Sequence, residues 1–148
     1  PENLFLPVGN GTLLIGCEIA LKTLYEARVL TTLPKIFIVQ SESCAPFSGA
    51  RSEPRAIKAE PTLAEGIAIA KPARGAEILA SRYAGEREVI TIKEDDIEPA
   101  RNFLASRGFY VEHTTAAIYA AYASYAKSHK IEGRSIISMC GAGLKSEH

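Results

Sequence analysis

The sequence contains no tryptophan, one methionine and no excess of either charge: 17 lysines and arginines are matched by 17 aspartates and glutamates. A balanced chain whose basic residues are scattered rather than striped sets up no long-range field for nucleic acid or an anionic membrane surface. Cysteine is scarce as well. Cys17, Cys44 and Cys140 form no CxxC pair, and an odd number argues against a secreted disulfide framework, so a reducing cytoplasm is the expected setting. No basic segment precedes an apolar core at the N-terminus, no apolar run is long enough to span a bilayer, and no metal-ligating cluster is read. GxGxxG is missing too, because Gly9, Gly11 and Gly16 have the wrong spacing, and no Lys-Ser/Thr pair follows them; this excludes the dinucleotide fingerprint and the P-loop.

What is present is apolar patterning. Hydrophobic residues make up 47% of the 148 positions, enough for the core of one domain over residues 1–148. Four short apolar runs read as buried strands: Leu4–Val8, Lys35–Gln40, Glu88–Lys93 and Ser135–Cys140. Between them lie helical patterns at Thr12–Val29, Thr62–Ala70, Gly75–Arg82, Glu94–Arg107 and Thr114–His129. Thr62 with Glu65 has the spacing of a capping box, and Gly108 stands where a helix C-terminal glycine belongs. Strands alternating with helices predict an α/β fold: three layers, a mostly parallel four-stranded sheet with helices on both faces.

In such a sheet ligands sit outside the carboxyl ends of the strands. Two glycine-bearing turns fall there, Gly9-Asn10-Gly11-Thr12 after the first strand and Gly141-Ala142-Gly143 after the last. At the first, glycines let a ligand approach the backbone, N–H groups at the helix start point outward, and the helix dipole favours an anion. The same residues also suit a tight turn with no ligand. If the turn does take an anion, phosphate or sulfate fits it, and Gly11→Val is expected to block approach while leaving the fold mostly intact. Read singly, Cys140 is a small hydrophobe, Glu112 a cap for the helix beginning near Thr114, His113 a solvated or locally bonded histidine, Glu65 a helix-start carboxylate, and Lys145 a solvated cation. Tyr119, Tyr122 and Tyr125, at three-residue spacing, read as core or subunit contact.

PVGNGTLLIG, residues 7–16, resembles the phosphate-cradling loop of fold-type-II pyridoxal-phosphate enzymes, the threonine synthase and serine/threonine dehydratase group. PKIFIVQSESCAPF, PTLAEGIAIAKP, ITIKEDDIEPARNFLASRGFYVEHTTAAIYAA and the closing CGAGLKS resemble further segments of that group in the same order. Threonine synthase is the nearest branch. The resemblance implies pyridoxal 5'-phosphate as the parent enzyme's cofactor and an amino-acid substrate. It assigns Gly9, Asn10, Gly11 and Thr12 to the cofactor phosphate and Cys140 to the pyridine nitrogen. Glu112 matches the glutamate of a Glu-Pro-x-x-Ala turn near the ring, with His113 in place of the proline, and Glu65-Gly66 matches a segment on the substrate side.

The resemblance also implies a Schiff-base lysine in a segment well before the phosphate loop. Lys22, Lys35, Lys58, Lys71, Lys93, Lys127, Lys130 and Lys145 have no such context, so no catalytic residue is assigned. The chain therefore reads as the C-terminal part of a cofactor domain, inactive alone, without the lysine segment and the smaller domain. A homo-oligomer, or association with the remaining N-terminal part, is expected. Two other readings stand beside this one: a non-catalytic phosphate-binding or subunit-interaction domain, and a small Rossmann-like domain for another phosphorylated ligand.

Overall fold

A computed structural model describes residues 1–145, leaving aside the side chain of Lys145; Ser146, at the end of the CGAGLKS segment, lies outside the described residues. Strands β1 (Asn3–Pro7), β2 (Lys35–Ser41), β3 (Arg87–Ile92) and β4 (Ser135–Ile137) form one sheet in the order β3-β2-β1-β4. Every pairing is parallel, with Phe5 opposite Phe37 and Ile137, and Ile38 opposite Val89. Helices α1 (Thr12–Glu26), α2 (Gly75–Leu79), α3 (Glu94–Ser106) and α4 (His113–Ser128) cover it.

The three layers follow from alternation and handedness. Successive strand residues face opposite sides. Phe5, Phe37, Val39 and Ile92 pack with Ile97, Leu104, Ala117 and Ile118 of α3 and α4. Leu6, Ile36 and Ile38 pack with Leu14 and Ile15 of α1 and Ile78 of α2. The chain moves across the sheet from β1 through β2 to β3 and then returns past β1 to β4. Parallel crossovers are almost always right-handed, so reversing the direction of travel moves the helices to the other face. The expected α/β architecture is therefore present, with a wholly parallel sheet.

The element ends depart from expectation for local reasons. Helix α1 stops at Glu26 rather than Val29 because Arg28 takes a left-handed conformation (φ 57°), and Val29 N–H closes onto Leu24 O at 2.9 Å. Gly108 behaves as expected: with φ 87° it ends α3, and Phe109 N–H returns to Leu104 O. The strand expected over Ser135–Cys140 ends at Ile137, and Ala142 instead bridges to Val111.

The helix expected over Thr62–Ala70 is the largest correction. Only a 3₁₀ turn, Glu65–Ile67, forms, and no capping box exists. The Thr62 hydroxyl donates to Glu94 and accepts the Ala64 N–H, while Gly66 N–H donates to the Thr114 hydroxyl. The Gly66 N–H, which a helix would have bonded internally, is committed to a partner on another element.

Candidate functional site

β1 and β4 are neighbours, yet β1 sends its chain toward β2 while β4 lies on its other flank. Such a switch point opens a crevice at the carboxyl ends of the strands. The two glycine turns leave β1 and β4 there.

The first turn is held from behind. Val8 N–H bonds Val39 O at 3.0 Å, and the buried Gln40 amide donates to Val8 O at 3.3 Å while accepting Phe47 N–H at 3.0 Å. Gly9 is buried, and a Cβ there would stand 3.0 Å from Ile69 Cγ1 and 3.1 Å from Gly66 O. Gly11, the N-cap of α1, adopts φ 87° and has no side chain to offer the helix. A Cβ on Gly11 would overlap Cδ1 of Ile78 inside the core. The expectation that Gly11→Val spares the fold is therefore overturned: the substitution strains the backbone and displaces Ile78. Asn10 does not point its amide oxygen outward; that oxygen accepts Ala73 N–H at 3.2 Å and ties the turn to the 69–73 segment. Thr12 is exposed at the first position of α1, beside backbone N–H groups that have no partner one turn back.

The second turn rests on α4. The buried Thr115 hydroxyl accepts Gly141 N–H at 3.1 Å, and Cys140 Sγ lies 3.9 Å from it. Glu112 is the N-cap of α4, but its side chain makes no capping bond. Its N–H donates to Gly141 O at 3.1 Å, and its carboxyl occupies the space that a Cβ on Gly141 would need. Cys140, Gly141, Thr115 and Glu112 thus form one cluster. Cys140 is exposed rather than packed as a small hydrophobe, whereas burial pushes the thiols of Cys44 and Cys17 up from their ordinary value. His113 pairs with Glu98 at 3.1 Å.

The 65–69 segment links the first turn to α4. Gly66 N–H donates to Thr114 Oγ1 at 3.1 Å, and the segment's other side packs on Gly9. Glu65 itself is exposed. The sequence reading missed Thr114 and Thr115, which look like helix-start residues, as well as Gln40 and the placement of Lys71, an exposed cation between Ile69 and Ala73. Paired threonines after a glutamate N-cap were the available signal. Lys22, by contrast, pairs with Glu26 at 3.8 Å. A separate cavity of about 430 Å³ lies between α1 and α2, lined by Ile15, Ile19, Leu33 and Tyr83, away from the strand ends.

Tyr119, Tyr122 and Tyr125 are core-flanking, with Tyr122 edge-on to Phe5 at 5.3 Å and Tyr125 to Phe37 at 4.9 Å. Among the described residues no group of histidine, cysteine and carboxylate side chains is arranged for a metal, and no helix is long and apolar enough to cross a membrane.

An open parallel sheet whose strand order reverses beside its first strand defines a class: α/β domains with a crevice at the carboxyl ends of the strands. The particular family follows from comparison with known proteins. Residues 1–141 match the model of the pyridoxal-phosphate dependent enzymes, and the chain belongs to that family, whose cofactor is pyridoxal phosphate. It is 29% identical over 119 residues to an L-threonine ammonia-lyase of Thermotoga maritima, covering 79% of this chain and 28% of that protein. Among solved structures it resembles the T.th. threonine deaminase, with a TM-score of 0.71, 24% identity, and coverage of 97% of this chain and 50% of that one. It also resembles the serine racemase of Dictyostelium discoideum, with a TM-score of 0.67, 23% identity, and coverage of 95% and 43%. The chain thus spans half or less of the relatives it matches.

The residues present fit the family's cofactor. Gly9 and Gly11 let the turn pack its bare α-carbons on Ile69 and Ile78, the start of α1 offers N–H donors and the exposed Thr12 hydroxyl, and the Cys140 cluster supplies a thiol and a carboxylate at the neighbouring strand end.

Proposed function

We propose that this chain is the C-terminal part of the cofactor domain of a threonine synthase-like or threonine deaminase-like lyase, holding pyridoxal phosphate by its phosphate and its ring nitrogen but inactive alone. The observation that carries the reading is that the Gly9–Thr12 turn and the Cys140–Gly143 turn follow the carboxyl ends of two adjacent parallel strands. Gly9, Asn10, Gly11 and Thr12 form the phosphate side: backbone N–H groups and the Thr12 hydroxyl donate, the α1 dipole adds attraction, and Asn10 shapes the turn through Ala73. Cys140 would offer its thiol to the pyridine nitrogen, and Glu112 lies behind Gly141. When bound, the cofactor supplies an electron sink that a thiol at the ring nitrogen moderates, which suits elimination or replacement on hydroxy amino acids or their phosphate esters.

The lysine that would carry covalent chemistry has no candidate at this crevice in the resemblance. Lys35 stands at the opposite end of β2, paired with Glu88 at 2.8 Å. Apolar side chains left open on α1 and beside the second turn, among them Ile19, Phe109 and Leu144, support association with a second copy or with the remaining part of such an enzyme. A phosphate-binding or subunit-interaction domain with a Rossmann-like fold and without catalysis is the alternative, supported by the exposed Thr12 hydroxyl at the start of α1.

Titration with sulfate and then with pyridoxal phosphate, followed by amide chemical shifts, tests the reading. Residues 9–13 respond to both ligands, and Cys140–Gly143 respond to the second alone. Silence at 9–13 overturns the assignment.

A further inference from the structure

The carboxylate of Glu94, in the first turn of α3, is the meeting point of three chain segments that no sequence motif connects. Its Oε1 accepts the hydroxyls of Ser41 and Thr62, both at 2.5 Å, and its Oε2 accepts Leu63 N–H at 2.9 Å. Ser41 is fully buried at the carboxyl end of β2, and its hydroxyl in turn accepts Ser43 N–H at 3.1 Å. Burial pushes the Glu94 carboxyl up, but the bonds from Ser41, Thr62 and Leu63 outweigh it and hold the group below its ordinary value. Bonds to an ionised acceptor are the strong ones, and a carboxylate in the first turn of a helix gains from the dipole as well.

This hub acts on the crevice through one short segment. Thr62, anchored by Glu94, accepts Ala64 N–H and fixes the turn that leads into Glu65–Ile67. Gly66 then bonds Thr114 on one side, and its carbonyl backs Gly9 on the other. Between Ser41 and Gly66 the chain runs mostly without regular structure, so its course depends on such ties. A site is only as well placed as the groups that lock its supporting residues.

We propose that Glu94 is a positioning residue: its carboxylate sets the 62–66 segment against Gly9 and thereby the anion affinity of the Gly9–Thr12 turn. The affinity half of this statement rests on the phosphate reading above. Glu94 itself touches no ligand.

The test compares the full chain with Glu94→Ala, Glu94→Gln and the milder Thr62→Val, each shown folded by amide dispersion, using sulfate as the probe. Glu94→Ala shifts the free-state amides of Gly66 and Gly9 and weakens sulfate about tenfold. Glu94→Gln keeps one acceptor oxygen and recovers part of the affinity, and Thr62→Val falls between it and the parent. Asp96→Asn, which removes a first-turn acid of the same helix to which Thr62 and Leu63 do not donate, leaves both readouts unchanged. Unshifted Gly66 and Gly9 amides in Glu94→Ala, or equal losses in Asp96→Asn, overturn the proposal. No sulfate response at residues 9–13 in the parent overturns the phosphate reading instead, and the free-state shifts still decide whether Glu94 positions the segment.

Discussion

The hydroxyl of Thr115, on a side chain with no solvent exposure, accepts the N–H of Gly141 at 3.1 Å and so hangs the last turn of the described chain on the first turn of α4. β4 pairs with β1 over only three residues, and the turn is held besides by Glu112 N–H on Gly141 O and by the bridge between Val111 and Ala142. Thr115→Val keeps the side-chain shape and removes the acceptor, leaving a half-buried N–H unpaired. The expected loss is about 1–3 kcal/mol, read as a lower urea midpoint with an unchanged slope. An unchanged midpoint refutes the role.

Gly11, proposed above for the phosphate side, is required by the fold itself. Its φ of 87° disfavours any side chain, and a methyl group there collides with Ile78, itself 1% exposed. Gly11→Ala is expected to lose about 1–3 kcal/mol of stability whether or not an anion is present, measured by thermal or urea unfolding. A variant as stable as the parent contradicts this.

Tyr83 donates its hydroxyl to Pro34 O at 2.7 Å, and burial together with the nearby Glu18 carboxylate pushes its ionisation up to about 12. The folded value lies above the unfolded one, near 10. Its contribution to stability is therefore complete below pH about 10 and is lost as pH rises through about 12. Ultraviolet titration should show a late tyrosinate step at about 12 that disappears in Tyr83→Phe. Persistence of that step in the variant rules the assignment out.

Local pattern along the chain accounts for the layered α/β class, the positions of all four strands, the glycine stop after α3 and the two turns at the strand ends. Each of these is written in local pattern or local backbone freedom: short apolar runs for strands, a glycine where φ is positive. It also carried the family resemblance, because the motifs lie in contiguous runs. Only the tertiary structure decided what happens between Ser41 and Gly75. There Thr62, Leu63 and Gly66 give their hydrogen bonds to Glu94 and Thr114, residues more than 30 positions away, and an apparent helix becomes a single 3₁₀ turn. The same holds for Gly11, whose need for a bare α-carbon comes from Ile78 in another helix as well as from its own turn. A local pattern states what a segment can form alone; the partner that takes its donors and fills its space is chosen only when distant segments meet.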